Sequence, residues 1–522
     1  MNVHWIDLLV IAAYFAVTLV VGLRFSRKNR STERYYLGDR SFPGWAVGLS
    51  FIGGTISSVT FTAYPADSFK TSWVRLLPNL AFPMVALLAA WLLVPFFRSG
   101  RASSAYHYLH LRFGAPVSVY AALVYLAAQV VRMATITYLL AVLLANLLGL
   151  DLVLCAALVA GFTGLYATKG GFEAVVWTEV LQTIVLIAGA LGCVLVVLHA
   201  VPGGFAEVWA QAVGAEKISF RDLNAATGAL EPLRGGFSFS EKTAAMLMLV
   251  GAAQYIAGQL DQDTVQRWCA AKSAKEARKS MWVLGLGALP IWTTFMFLGT
   301  CLWVYYQQHP DDLSREVLAG TRKAEDILPH FIITALPHGV AGVVISAALA
   351  AGMSSLGTCV SAAGMVWVND LYRKHLVRDR DDAHYLTTGK LTSVMLSLLM
   401  MGGAVLFHLA DGKTLMDTSI TVTAMFGGGI AGAFLFGIFT RLGDHRAVLA
   451  GMAATLVFTA YAALMQFKVL PRTFDPYYTA ILANGVMFAV CFLAAKCLPA
   501  KPRDLSRLTI WDRDKSPNHD TP

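Results

Sequence analysis

The chain has 522 residues, 57% of them hydrophobic and only 14% charged, with a formal net charge of +9. Soluble domains carry about a quarter charged residues, so the composition excludes a soluble globular fold and defines a polytopic membrane protein. The positive balance gathers in short loops between apolar runs, which argues for topology and anionic-lipid contact and against nucleic acid.

Apolar runs of about 20 residues, the length that crosses a bilayer, fall at 5–25, 43–66, 73–97, 116–148, 152–168, 173–200, 243–268, 281–307, 328–369, 386–410, 416–440, 446–467 and 476–498. They predict an all-α protein of about thirteen spans. The 328–369 run is long enough to include a further short helix before Pro337. The first run has no basic segment ahead of it, so it reads as a retained span and not as a cleaved signal. Placing the basic loops after spans one, seven and nine, and the tail, on one side collects most of the 41 Lys and Arg residues there. By the positive-inside rule that side is the cytoplasm, the N-terminus lies outside and the C-terminus inside. The expected home is the plasma membrane, or the inner membrane of a bacterium. The polar stretches 201–240 and 308–327 then lie outside and can form short cap helices.

Spans two to six and seven to eleven are five helices each. Two consecutive odd-numbered units enter the membrane from opposite sides, which is the arithmetic of an inverted repeat. The expected organisation is a first span and basic loop (1–41), a first repeat (42–200), an external loop (201–240), a second repeat (241–440), two peripheral helices (441–498) and a cytoplasmic tail (499–522). Each repeat opens on a disturbed helix. In span two, Gly53 and Gly54 interrupt the apolar run and the hydroxyls of Thr55, Ser57, Ser58, Thr60 and Thr62 follow. In span seven, Gly258 and Gln259 precede Asp261, Gln262 and Asp263. Non-helical backbone persists in a bilayer only where protein buries it or it lines a cavity, so a Gly-interrupted span points to a transporter's binding site. The alternative is that small residues let neighbouring helices pack closely.

Three constellations carry chemistry. Span nine, ALAAGMSSLGTCVSAAG (348–364), sets Ser354, Ser355, Thr358 and Ser361 on an otherwise small and apolar helix. Hydroxyls of this kind, with carbonyls from a facing broken helix, supply the oxygen ligands that a hard cation such as Na+ prefers; small-residue packing is again the alternative. Glu179 sits in WTEVLQT near a cytoplasmic helix end, where it could also simply face water. Arg132 lies near the middle of span four, where even the mildest scale sets the cost of an arginine at about 2.5–3.5 kcal/mol. It therefore faces the interior, toward either a substrate carboxylate bound bidentately or an internal acid. Other signals stay with structure. Gly427, Gly429 and Gly432 spell GxGxxG without a strand before them, and His107 and His110 have no third metal ligand beside them. The seven scattered cysteines form no metal or disulfide pattern.

The segments FPGWAVGLSFIGGTIS (42–57), WTEVLQT (177–183), DQDTVQRWCAAKS (261–273) and SSLGTCVSAAGMVWVNDLYRK (354–374) together resemble the sodium/solute symporter family, which includes sodium-glucose, proline and sialic acid transporters. The resemblance runs over roughly residues 1–500 and implies a LeuT-like core of 5+5 helices with a discontinuous first helix in each repeat. It implies a main sodium site of the Gly53, Ile56 and Ala351 carbonyls with the Ser354 and Ser355 hydroxyls. A second sodium site found in some members would fall on Glu179, Ser354 and Thr358. There the family's usual aspartate is replaced by Glu179, and a hydroxyl two positions after the serine pair is replaced by Gly357.

In the sialic acid branch an arginine on the corresponding helix holds the substrate carboxylate, and Arg132 resembles it. Thr55, Ser57, Ser58 and Thr60 resemble that branch's hydroxyl-rich pocket, with Asn79, Gln129 and Gln254 left for a polyol tail. The sugar-binding set of the glucose branch falls instead on Thr60, Asn79, Ala288, Ile420 and Ala257, which would deprive a neutral hexose of most polar contacts. The expectation is sodium-coupled import of a small carboxylated sugar such as sialic acid by alternating access. A neutral sugar, a monocarboxylate or an amino acid is the alternative cargo, and a membrane sensor the alternative class. No nucleophile–base pair or metal cluster suggests an enzyme, and no obligate protein partner is evident.

Overall fold

A computed structural model describes residues 4–26, 29–56, 58–99, 102, 104–223, 229–410, 419, 421, 424–425, 427–498 and 504–512. The described chain is almost wholly helical, with one small antiparallel hairpin, Arg221–Leu223 against Leu230–Pro232, in the polar stretch after span six. Among the described residues nine helices are long and apolar enough to cross a membrane, and the bent pair Gly44–Thr55 with Ser58–Lys70 adds a tenth. Three cases account for the difference from the thirteen predicted runs. Runs 152–168 and 173–200 lie in one helical stretch, Leu152–Ala200, as two helices joined at Gly171 (φ 62°, ψ −159°), a backbone region open essentially to glycine. Run 243–268 is divided into Ala244–Gly258 and Gln262–Ala270, and run 416–440 is described as a full helix only over Ile430–Phe439.

The short elements follow the polar stretches. Gly204–Gly214 and Asp312–Ala319 are the expected cap helices, and Ile327–Thr334 is the extra helix ahead of Pro337. Asp311 caps its helix by a reciprocal box with Ser314, its side chain accepting from the Ser314 N–H at 2.7 Å.

Val340–Met365 forms the centre of the fold. Nearly every one of its residues is buried, which its Ala-, Gly- and Ser-rich sequence permits because backbones can approach closely across small side chains. A Cβ on Gly352 would reach within 2.5 Å of Leu140 on span four, and one on Gly189 within 2.5 Å of Ala347. Asp7 on the first helix accepts the Gly339 and Gly342 N–H groups at 2.6 and 2.8 Å, satisfying donors that the start of this central helix leaves open.

The two broken spans meet at one face of the membrane. Phe42, just before Gly44–Thr55, pairs in parallel with Ala271, just after Gln262–Ala270: its carbonyl accepts the Lys272 N–H at 2.9 Å and its N–H donates to the Ala270 carbonyl at 3.4 Å. The Gly44 N–H donates to the Glu276 carboxylate at 2.5 Å, so an acid on span eight caps the first half-helix.

Candidate functional site

Span two breaks where its sequence suggests. The helix Gly44–Thr55 stops, Ile56 turns to extended backbone (φ −89°, ψ 98°), and the chain resumes as Ser58–Lys70 after a bend of 59°. The glycine pair serves close packing. A Cβ on Gly53 would meet Thr183 Oγ1 at 2.5 Å, and one on Gly54 would meet Arg267 Nη2 at 3.0 Å, so close packing requires them. The break one turn later then releases the last carbonyls of the half-helix from their ladder.

One of those carbonyls meets the serine pair. Ser354 Oγ donates to the Gly53 carbonyl at 2.8 Å and to Ala351 O at 3.0 Å, and Ser355 Oγ lies 3.5 Å from Ala351 O. Ile56 and Ser355 are fully buried, and Ala351 and Ser354 are each 1% exposed. The donor set fits a sodium ion: neutral oxygens from two elements, at the partly negative end of a half-helix.

Glu179 does not face water. It is 1% exposed, and both carboxylate oxygens are bound by Arg267, with Nη2 at 2.9 Å from Oε1 and 3.0 Å from Oε2. Ser50 and Thr358 each donate a hydroxyl hydrogen bond to the same carboxylate. Arg267 further donates to Thr358 Oγ1 at 2.7 Å, to Ser50 Oγ at 3.0 Å and to the Asp263 carbonyl at 3.1 Å. The structure thus brings together Glu179 and Thr358 of the second sodium reading, with the Arg267 guanidinium bound to both, while Ser354 bonds to Gly53 and Ala351. Arg267 is absent from the sequence-derived site, although it lies inside DQDTVQRWCAAKS, 88 positions from Glu179.

Arg132 is exposed, with no hydrogen bond or ion pair among the described residues. Asp261, Asp263, Cys359 and Tyr125 are the groups that share its electrostatic field. One turn before it Gln129 is 5% exposed, and its Oε1 has no hydrogen-bond partner; Tyr125 Oη and Asp263 Oδ1 are likewise buried and unpartnered. A cavity of about 1160 Å³, lined by Tyr125, Gln254, Gly258 and Asp261 among others, runs between spans four and seven and the peripheral helices. Asp261 and Asp263 were legible only as a disturbance of span seven, and the structure adds them to the surroundings of Arg132.

The remaining expected contacts divide. Thr60 is buried, and Thr55 Oγ1 bonds back to the Phe51 carbonyl at 2.8 Å. Ser57 lies outside the described residues, as does the side chain of Ser58. Asn79 is already engaged at both ends: its Nδ2 donates to Tyr64 Oη at 2.7 Å and its Oδ1 accepts from Tyr255 Oη at 2.6 Å. It ties spans two, three and seven together instead of offering a polar group to the cavity, and the rings of Tyr255, Phe82 and Trp292 pack around that bridge.

A discontinuous span set against a serine-bearing central helix, in a membrane protein with no metal-binding cluster among its described residues, defines a cation-coupled transporter. Residues 35–454 match the model of the sodium:solute symporter family, and the chain belongs to that family. The sodium/sialic acid symporter SiaT of Proteus mirabilis is 27% identical over 522 residues, covering 98% of this chain and 99% of that one. NanT, the sodium/sialic acid symporter of Aliivibrio fischeri, is 26% identical over 450 residues, 85% of each chain. A solved Na+-coupled sialic acid symporter, substrate-bound and outward-open, superposes with a TM-score of 0.84 at 25% identity, covering 95% of this chain and 99% of the other. The protein is a sodium-dependent symporter built on the LeuT-like fold, and not an enzyme.

Proposed function

We propose that the chain imports a carboxylated sugar of the sialic acid type together with sodium. The carrying observation is Arg132, which among the described residues has no acid in ion-pair contact and lies one turn from the unpartnered Gln129 Oε1. An internal ion pair would have occupied that guanidinium; a substrate carboxylate is the anion that suits its fork. The sialic acid symporters among its relatives support the same cargo.

Sodium binds the Gly53, Ile56 and Ala351 carbonyls and the Ser354 and Ser355 hydroxyls. It thereby holds the first half-helix against the central helix and fixes the start of Ser58–Lys70, whose partly positive end faces the substrate acid. Linkage then makes sodium and substrate raise each other's affinity by the same factor. One sodium suffices in this reading, because the Arg267 guanidinium neutralises Glu179 internally. Thirteen spans, an external N-terminus and a cytoplasmic C-terminus complete the proposal, on the bias of the basic loops.

The test is sodium-gradient uptake into proteoliposomes of N-acetylneuraminate and of neutral sugars. The Arg132→Ala variant should lose uptake of the acid by about a hundredfold, the worth of one desolvated charge-assisted pair of ~3 kcal/mol. Any neutral cargo should change little. Equal losses for both, or uptake of the acid that ignores sodium, would overturn the assignment.

A further inference from the structure

A basic concavity is lined by none of the residues of the transport site. It is a cavity of about 770 Å³ between the short helix Ala105–Phe113, the start of span four and the chain from Arg373 to Tyr385. Arg373, Lys374, Arg378 and Arg380 line it against a single carboxylate, Asp379. Lys374 is already paired with Asp370 at 2.8 Å. The three arginines are exposed, and none has an acid within ion-pair distance among the described residues.

Two of the guanidiniums and the backbone of the third make contacts around the opening. Arg373 stacks its guanidinium 4.8 Å over the Tyr385 ring, Arg378 Nε donates to the Lys374 carbonyl at 2.8 Å, and the Arg380 N–H donates to Tyr385 Oη at 3.3 Å. Deeper in, His375 Nε2 is buried without a hydrogen-bond partner and its ring faces that of His110 at 5.9 Å. Burial, and then the Lys374 charge, hold the His107 imidazole down at about 4, and the same causes lower His110. The His107 and His110 rings are neutral at pH 7 and sit in a positive field.

Cations at a helix C-terminus and in a cytoplasmic loop are expected for other reasons. Those reasons explain their sign. They do not explain why the cations surround a cavity, nor why an imidazole nitrogen is desolvated there without a partner, since buried polar atoms are normally satisfied. We propose that this cavity is a binding site for a phosphate-bearing anion, either the headgroup of an anionic phospholipid or a soluble phosphate compound. Arginine forks match phosphate oxygens bidentately, and the floor supplies the His375 nitrogen. Basic pockets between helices at the cytoplasmic level take lipid headgroups in this way; that placement rests on the orientation proposed above, whereas the site itself does not.

The experiment uses the purified full-length protein in a neutral detergent, with thermal unfolding followed on addition of cardiolipin, phosphatidylcholine or sodium phosphate. Cardiolipin or phosphate should raise the melting temperature and phosphatidylcholine should not. In Arg373→Gln/Arg378→Gln/Arg380→Gln the half-saturating concentration should rise about tenfold or more. The corresponding triple lysine variant should keep most of the effect, since charge is retained. Stabilisation by the lipid alone assigns the headgroup, and stabilisation by phosphate as well assigns the soluble anion. Sodium-driven uptake by the glutamine variant in phosphatidylcholine liposomes should match the unaltered protein, which separates loss of this site from loss of fold or of the transport site. No stabilisation by either anion, or an undiminished effect in the glutamine variant, would overturn the proposal.

Discussion

Replacing Arg267 by methionine would strand the Glu179 carboxylate in the interior with two hydroxyls in place of its counter-charge. The pair is 2% and 1% exposed, and the guanidinium makes five hydrogen bonds, to Ser50, to both oxygens of Glu179, to Thr358 and to Asp263. Removing one partner of such a pair costs about 3–5 kcal/mol, while replacing both with uncharged groups of similar size is close to neutral. At about 2 °C per kcal/mol, the lower end for larger chains, Arg267→Met should melt about 6–10 °C below the unaltered protein. Glu179→Gln should fall by a similar amount, and the double variant should recover most of the loss.

Sodium supplies the sharper readout. In Arg267→Met the carboxylate becomes an anion in need of a monovalent cation, so raising sodium in unfolding assays should stabilise this variant more than the unaltered protein, by RT ln(1 + [Na+]/Kd) for the added site. Potassium or choline at equal ionic strength serves as the control. Additive losses in the double variant, together with an unchanged sodium response in Arg267→Met, would refute the view that the guanidinium stands in for a second ion.

Replacing Ser354 and Ser355 together by alanine should abolish sodium-stimulated uptake, and either change alone should raise the half-saturating sodium concentration about tenfold, the worth of one ligand of about 1.4 kcal/mol; an unchanged sodium dependence in the double variant would remove these serines from the site. Gly53→Ala places a methyl group 2.5 Å from Thr183 Oγ1 and 3.2 Å from the Glu179 carbonyl, so overpacking of about 1–3 kcal/mol should appear as a lower melting temperature and a weakened sodium response. Asn79→Ala breaks the bridge between Tyr64 and Tyr255 and should reduce stability and transport of every cargo alike; a loss confined to polyol substrates in competition assays would return Asn79 to the pocket.

The helical class and the break in span two were readable because each has a local cause, apolar length and adjacent glycines, whereas the meeting of Gly53 with Ser354, 301 positions apart, was implied by the symporter resemblance. The symporter motifs led to the same residues. Partnerships between distant segments were not readable. Nothing near Asn79 in the chain announces Tyr255, 176 positions away, and nothing near Glu179 announces Arg267. Single polar residues in apolar runs look alike in sequence whether they face a cargo or one another, and only packing decides. Arg132 and Asn79 illustrate the difference: the first was left without a partner and the second was given two.

The parallel pairing of Phe42 with Ala271 has a mechanical consequence. It ties together the ends of the two discontinuous helices, so neither can tilt without carrying the other. A carrier with two independent hinges could leak by opening each half in turn. With the two levers pinned at one fulcrum, their rocking reduces to a single degree of freedom, and a load placed on one half is felt at once by the other.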